Sequence, residues 1–193
     1  MALPTKLTVL RILLTFVIMV LLFVPGALAK GLAFALFVLA CATDWWDGYL
    51  ARRWNQITPL GVLLDPIADK VLVIGLLMSF VQLRLVPAWM VLVIFIRELV
   101  ITGVRLYAAR RQIVIPAATE GKHKTVSQML TITVILGLLV VRELVAERAA
   151  VVWLVWMPRL ILLAMWVTVA LTVISGASFF WRNRMLFQSR EPL

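Results

Sequence analysis

The sequence predicts an all-α integral membrane protein, a single domain over residues 1–193 with six transmembrane helices, and three observations predict it. Of the 193 residues, 64% are hydrophobic and only 15% are charged, which leaves too little polar surface for a water-soluble domain. The apolar residues form long segments, each able to cross about 30 Å of hydrocarbon as a helix. Eight Trp residues suit anchoring at the two membrane interfaces.

Each apolar segment is predicted to be helical because lipid offers no hydrogen-bond partners to an unpaired backbone. Turn and cap residues mark several boundaries. Pro25-Gly26 ends the first segment, Thr58-Pro59 begins the third, and Pro87 begins the fourth. In chain order the segments cover residues 7–25, 31–51, 60–81, 87–109, 123–141 and 151–178.

The first segment shares some features with a secretory signal peptide. Lys6 and Arg11 come before or early in an apolar run, and Ala27-Leu28-Ala29 matches the small residues of a cleavage site. An uncleaved first transmembrane helix is the simpler interpretation, and we expect it here.

The charge of +10 comes from 19 Lys and Arg against nine Asp and Glu. The basic residues lie mostly at the ends of apolar segments, which favours anionic lipid headgroups and phosphorylated substrates over nucleic acid. One side carries Lys6, Arg11, Arg52, Arg53, Arg110, Arg111, Lys122, Lys124, Arg182, Arg184 and Arg190, and the other carries Lys30, Arg84, Arg142 and Arg148. This asymmetry predicts that both termini lie on the cytoplasmic side of the cell membrane. A single cysteine excludes disulfides within the chain.

Four aspartates lie at the junction of the second and third segments. Asp44 and Asp47 are three residues apart, and Asp65 and Asp69 are four apart, so each pair shares one face of its helix. Because the connection between the segments is short, we expect the two helices to be antiparallel neighbours. The four carboxylates should then converge near the cytoplasmic end.

Four unpaired carboxylates beside a bilayer would repel one another, so cations must compensate them. Ligand sets made only of oxygen favour two Mg²⁺ or Mn²⁺ ions. Paired metals of this kind suit displacement at phosphorus. Acids within membranes also occur in ion or proton pathways and in salt-bridge networks, and the carboxylates alone leave those alternatives open.

Small and basic residues surround the aspartates. Gly48 and Ala51 share their helix face, and Gly61 opens the next helix, which would let a bulky anion approach the backbone. Arg52 can bind a phosphate with two parallel hydrogen bonds.

The string from Asp44 to Asp69 resembles the signature of the CDP-alcohol phosphotransferase family. That signature reads D-x2-D-G-x2-A-R-x8-G-x3-D-x3-D, and all its fixed positions occur here at the same spacing. The layout of six segments is similar to that family over the whole chain. At the N-terminus the family's usual Pro-Asn is replaced by Pro4-Thr5, ahead of Leu7-Thr8-Val9-Leu10-Arg11.

The resemblance implies a reaction in which a CDP-linked lipid donates its phosphatidyl group to an alcohol and CMP leaves. It implies that Asp44, Asp47 and Asp65 are the principal metal ligands and that Asp69 completes the site and acts as general base. It also implies a homodimer. The residues it places around the cytidine diphosphate are Asp47, Gly48, Ala51, Arg52 and Gly61.

Other residues resemble a branch of the family whose acceptor is sn-glycerol 3-phosphate. They are Leu64-Asp-Pro-Ile-Ala-Asp-Lys70, Arg97-Glu98 with Gly103 and Arg105, and Gly121-Lys-His-Lys-Thr125 with Gln128. The implied reaction transfers the phosphatidyl group of CDP-diacylglycerol to this acceptor, giving phosphatidylglycerophosphate and CMP. We expect the acceptor phosphate to be bound by Arg105, Arg110, Lys122 and Lys124.

Alternatives remain for both the basic residues and the reaction. The positive-inside bias alone would also explain the basic residues, and a structural pair with Arg105 on the same stripe of the fourth helix would explain Glu98. The same chemistry could use another acceptor, as in the synthases of phosphatidylinositol phosphate, cardiolipin and phosphatidylserine. A divalent-ion transporter is a more remote alternative, and it gives no purpose to the Gly, Ala and Arg positions between the acid pairs.

Overall fold

A computed structural model of the chain describes residues 3–54, 59–110, 120–144 and 147–184. Side chains are described in these ranges except at 3–7, 44–54, 59–63, 65, 120–123 and 147–154. Within the described ranges the chain is helical and contains no strand. The helices are α1 (Leu3–Phe23), α2 (Ala27–Trp54), α3 (Pro59–Gln82), α4 (Ala88–Arg110), α5 (Glu120–Leu144) and α6 (Glu147–Arg182). Each predicted apolar segment coincides with one helix, which confirms the all-helical prediction.

Contacts between α1 and α3 give the relative direction of these two helices. Arg11 of α1 contacts Asp69 of α3. Further along both helices, Gly75 of α3 lies against Thr15 and Met19 of α1. The residue numbers rise together, so α1 and α3 are parallel. α2 returns alongside α1 after the turn at Gly26, and it is therefore antiparallel to both.

The second half of the bundle follows the same alternation. Trp89 packs edge-to-face on Trp166 with ring centroids 5.4 Å apart, and Arg97 bonds to Ser175, so α4 and α6 are parallel. α5 runs antiparallel to α6, because Thr131 Oγ1 lies 3.3 Å from the carbonyl oxygen of Ala164 while residues earlier in α5 contact residues later in α6. The N-termini of α1, α3 and α5 and the C-termini of α2, α4 and α6 share one end of the bundle, which we call the signature end.

Packing joins the six helices into one bundle. α1 packs against α2 and α3, and α5 packs against α2, α3 and α6. α4 packs against α3 and α6. Two described stretches, Lys124–Leu144 and Val155–Arg182, are long and apolar enough to cross a membrane, and Thr8–Phe23 and Ala27–Thr43 are apolar but shorter.

The buried core changes character along the bundle axis. In the half away from the signature end, the largest buried side chains are apolar, and the buried polar residues are Lys30 and Ser79: the apolar ones are Ile18, Leu22, Phe37, Leu76, Leu77, Phe80, Met90, Ile94 and Ile135. The half at the signature end buries Thr8, Arg11, Thr15, Lys124, Ser127, Gln128, Thr131, Thr168, Thr172 and Ser175. Burying polar groups is costly unless they are hydrogen-bonded. This half of the bundle is therefore where a polar function is expected.

The turn between α1 and α2, at the opposite end of the bundle, is closed by specific groups. Gly26 has φ 105°, a left-handed conformation that glycine adopts at no steric cost. The buried Lys30 of α2 donates to the carbonyl oxygens of Leu22 at 2.5 Å and Val24 at 2.8 Å. Carbonyls in the last turn of a helix lack partners within the helix, so Lys30 caps the C-terminus of α1.

Candidate active site at the signature end

The aspartates of the signature lie on two helices that run antiparallel. Asp44 and Asp47 are in the last part of α2, and Asp65 and Asp69 are in the first half of α3, so both pairs lie towards the signature end. The side chains of Asp44, Asp47 and Asp65 are outside the described residues. Their convergence and their binding of metal therefore stay predictions. Among the side chains that are described, no group of three His, Cys, Asp or Glu forms a metal site.

For the residues predicted around the cytidine diphosphate, the structure likewise describes the backbone and not the side chains. Gly48, Ala51 and Arg52 follow Asp47 in the last two turns of α2, and Gly61 lies in the first turn of α3. Their backbone is helical and lies at the signature end. Their side-chain positions fall outside the described part of the chain, so the predicted nucleotide site is not tested.

Asp69 is the signature residue whose side chain is described, and it is bound by α1. Nη1 of Arg11 lies 2.8 Å from Oδ1 of Asp69. The Arg11 side chain is 0% exposed, whereas that of Asp69 is 46% exposed. A buried guanidinium therefore holds a partly exposed carboxylate through a charge-assisted hydrogen bond.

The sequence pattern did not identify Arg11 as a site residue, because it assigned Arg11 only to the cytoplasmic basic set. The sequence nevertheless contains a pattern that could have identified Arg11. Arg11 lies three residues after Thr8 and four before Thr15, a helical spacing that continues to Ile18 and Leu22, and all five residues are buried. An ionisable residue on the face that a membrane helix turns to its neighbours indicates function.

Lys70 points to a different helix from its neighbour Asp69. Its ammonium donates to Thr102 Oγ1 of α4 at 2.5 Å. Consecutive residues of a helix are about 100° apart, so Asp69 turns to α1 and Lys70 to α4. Thr102 lies one turn from Glu98 on the same helix, which places the Lys70 ammonium beside a second polar cluster.

That second cluster joins α4, α5 and α6. Glu98 Oε1 forms ion pairs with Lys124 and with Arg97, whose Nη1 is 3.2 Å away. Arg97 also donates through Nη2 to Ser175 Oγ at 2.7 Å. The Arg97 stem passes close to Gly176, where a Cβ would lie 3.4 Å from Cγ of Arg97. The cluster contains two cations and one carboxylate, so it carries excess positive charge.

The four basic residues predicted for the acceptor phosphate differ in their positions. Lys124 is buried in the cluster with Glu98 and Arg97. Arg105 and Arg110 are exposed towards the end of α4, and the Arg105 guanidinium lies 5.9 Å from the ring centroid of Phe179. Lys122 is in the first turn of α5, and its side chain is outside the described residues. The arginine partner of Glu98 is therefore Arg97, and Arg105 rests on an aromatic ring.

Some buried polar atoms in this half of the bundle have no hydrogen-bond partner among the described residues, for example Nε of Arg97, Nε2 of Gln128 and Oγ1 of Thr172. Leaving such atoms unsatisfied is costly, so water or a polar ligand is expected to reach them. The polar half of the core thus has unused capacity for hydrogen bonding close to the basic cluster.

Comparison with known proteins agrees with the signature. The model of the family CDP-alcohol phosphatidyltransferase matches residues 1–174. A protein of Bacillus subtilis (strain 168) named CDP-diacylglycerol–glycerol-3-phosphate 3-phosphatidyltransferase is 40% identical over 193 residues, covering 94% of this chain and 94% of its own length.

Two further relatives carry the same name. The protein of Rickettsia typhi (strain ATCC VR-144 / Wilmington) is 34% identical over 178 residues, with 92% of this chain and 94% of its own length covered. The protein of Salmonella choleraesuis (strain SC-B67) is 34% identical over 162 residues, with 81% and 78% covered. The signature, the helical bundle and the family match along nearly the whole chain lead to one assignment: the chain belongs to the CDP-alcohol phosphatidyltransferase family.

Proposed function

We propose that this chain transfers the phosphatidyl group of CDP-diacylglycerol to sn-glycerol 3-phosphate, giving phosphatidylglycerophosphate and CMP. The observation that carries the proposal is the similarity, at 34–40% identity over most of the chain, to relatives named for this reaction. The buried basic cluster supports the choice of acceptor, because a phosphorylated alcohol needs cationic groups that a neutral alcohol does not.

The metal ions are part of the proposal. Asp44, Asp47, Asp65 and Asp69 would hold two Mg²⁺ or Mn²⁺ ions, which suit a ligand set made only of carboxylate oxygens. Arg11 neutralises part of the charge at Asp69, and the remaining acidic charge still requires cations. When bound, the ions would neutralise charge that develops on the phosphate oxygens.

The residues of the chain then have separate tasks in the reaction. Gly48, Ala51, Arg52 and Gly61 would bind the cytidine diphosphate together with Asp47. Asp69, exposed at the signature end, would take the proton of the acceptor hydroxyl as that oxygen attacks the phosphorus bonded to diacylglycerol. The bond from this phosphorus to the CMP oxygen breaks, and CMP leaves.

The acceptor phosphate would lie against the basic residues of α4 and α5. Lys124 is paired with Glu98, which also binds Arg97. Lys70 donates to Thr102, which lies one helical turn after Glu98 on α4. Lys122, Arg105 and Arg110 would extend the positive surface towards the cytoplasm. Excess positive charge in a partly desolvated site favours a dianionic acceptor.

The membrane arrangement is also proposed. All six helices would span the inner membrane, with both termini and the signature end on the cytoplasmic side. The alternation of helix directions supports this, as does the bias of Lys and Arg towards the signature end. The acyl chains of the donor would stay in the lipid beside the bundle, and the protein would form a homodimer.

Release of CMP by purified protein tests the reaction. The protein in detergent micelles is incubated with CDP-diacylglycerol, Mg²⁺ and one alcohol at a time: sn-glycerol 3-phosphate, inositol phosphate, phosphatidylglycerol or serine. We expect CMP release with sn-glycerol 3-phosphate and not with the others. Equal or faster release with another alcohol would overturn the acceptor assignment, and no release with any of them would overturn the reaction.

The roles of the aspartates are tested by substitution. Asp69→Asn should abolish turnover while leaving CDP-diacylglycerol binding largely intact, whereas Asp44→Asn should also weaken metal binding. An Asp69→Asn variant with turnover near that of the wild type would refute the assignment of the general base.

A further inference from the structure

Helix α1 lies outside the signature, yet it contributes the residue that holds Asp69. The stripe of α1 that faces α2 and α3 runs Thr8, Arg11, Thr15, Ile18, Leu22, and it changes from polar to apolar along the helix. Arg11 is among the largest fully buried side chains of the described residues. It reaches Asp69 from across the α1–α3 interface.

Packing alone does not explain a charge at this position. Removing a guanidinium from water carries a large desolvation penalty, and apolar side chains of similar volume often stabilise a buried site as well or better. Ile18 and Leu22 fill the same stripe two and three turns further on without that penalty. The charge at Arg11 is therefore better explained by what it binds than by the stability of the helix.

The interface fixes where Arg11 lies along α3. About two turns beyond Asp69, Gly75 lets α1 approach so closely that an added Cβ would be 3.1 Å from Met19 Sδ and 3.3 Å from Thr15 Cγ2. This contact sets the register of the two helices. The Arg11 guanidinium is consequently fixed at one position along the axis of α3, opposite the Asp69 carboxylate.

We infer that Arg11 is a positioning residue that orients the Asp69 carboxylate for proton transfer from the acceptor hydroxyl. Asp69 is nearly half exposed, so packing restricts its side chain less than it would restrict a buried one. The bond from Nη1 of Arg11 to Oδ1 restricts that freedom from the buried side. The inference rests on the proposed function, because it requires Asp69 to act in the reaction.

Substitution of Arg11 should lower the rate more than substrate binding. A misplacement of about 1 Å at a reacting group costs roughly 100-fold in rate. We therefore expect Arg11→Met to lower kcat about 30- to 100-fold while the KM values for CDP-diacylglycerol and sn-glycerol 3-phosphate change less than about threefold. Arg11→Lys keeps a cationic donor at the site and should recover part of kcat.

A double-substitution cycle separates positioning from general stability. Asp69→Glu moves the carboxylate by one methylene, so it already loses the orientation that Arg11 provides. If Arg11 acts through Asp69, then Arg11→Lys combined with Asp69→Glu should lower kcat by much less than the product of the two single effects. Losses that multiply would overturn the inference, as would an Arg11→Lys variant with wild-type kcat.

Ile18→Ala is the matched control for folding. Ile18 lies on the same stripe and is 0% exposed, but it is in the apolar half of the core. This variant should lower the melting temperature in detergent while its kcat stays near that of the wild type. If its kcat falls as far as that of Arg11→Lys at equal loss of melting temperature, the role of Arg11 is structural. Failure of the wild-type protein to release CMP would instead refute the proposed function.

Discussion

Glu98→Gln tests whether Lys124 depends on a buried counter-charge. Glu98 accepts from both Lys124 and Arg97, and its side chain is 15% exposed. The substitution keeps the shape of the side chain and removes its negative charge, so two cations then face each other without a carboxylate. Breaking a buried ion pair by removing one partner costs about 3–5 kcal/mol. We expect a loss of that size in the free energy of unfolding.

The loss is measured by denaturant titration of the purified protein in micelles, followed by circular dichroism. Glu143→Gln is the matched control, because Glu143 pairs with Arg142, whose side chain is 50% exposed. An exposed pair contributes about 0–1 kcal/mol, so this variant should unfold nearly as the wild type does.

A second substitution separates loss of the charge from loss of packing. Glu98→Gln combined with Lys124→Met removes both members of the pair, so no uncompensated ammonium stays buried. We expect the double variant to be more stable than Glu98→Gln alone by roughly 1–3 kcal/mol. A cost below about 1 kcal/mol for Glu98→Gln would refute the electrostatic account of this cluster.

Three further predictions concern other parts of the bundle. Lys30→Met removes two charged hydrogen bonds to the end of α1 and should lower the free energy of unfolding by roughly 1.5–3 kcal/mol, with kcat of the folded fraction unchanged. Gly75→Val should cost about 1–3 kcal/mol by overpacking against Met19 and Thr15, whereas Gly137→Ala, where an added Cβ has open space, should be neutral or stabilising by up to about 1 kcal/mol. Activity should disappear with EDTA and return with Mg²⁺ or Mn²⁺, and turnover that persists without divalent ions would contradict the proposed metal site.

The helices were predictable from the sequence because their signal is local. Each predicted apolar segment coincides with one helix, and Pro25-Gly26 and Pro87 lie in the turns where the sequence predicts them. The predicted segments begin and end within a few residues of the helices. The largest differences are four residues, at the starts of α1, α2 and α6 and at the end of α6.

The partners of the charged side chains were not predictable in the same way. Arg11 and Asp69 are 58 residues apart, and Lys124 and Glu98 are 26 apart. Their pairing depends on which helix faces meet, and the sequence alone does not say that α1 packs on α3. Spacing on α4 favoured a pair of Glu98 with Arg105 as readily as a role in acceptor binding. In the packed bundle, Glu98 instead forms ion pairs with Lys124 and Arg97.

The division of the core by depth connects these contacts to function. In the apolar half, side chains such as Phe37, Leu76 and Phe80 bury surface and stabilise the bundle without polar partners. That half can therefore offset the cost of burying Arg11 and Lys124 at the signature end. Stability and reactivity are then carried by different layers of the same helices. A substitution in the apolar layer should change unfolding before it changes turnover, and one in the polar layer should be able to change turnover at unchanged stability.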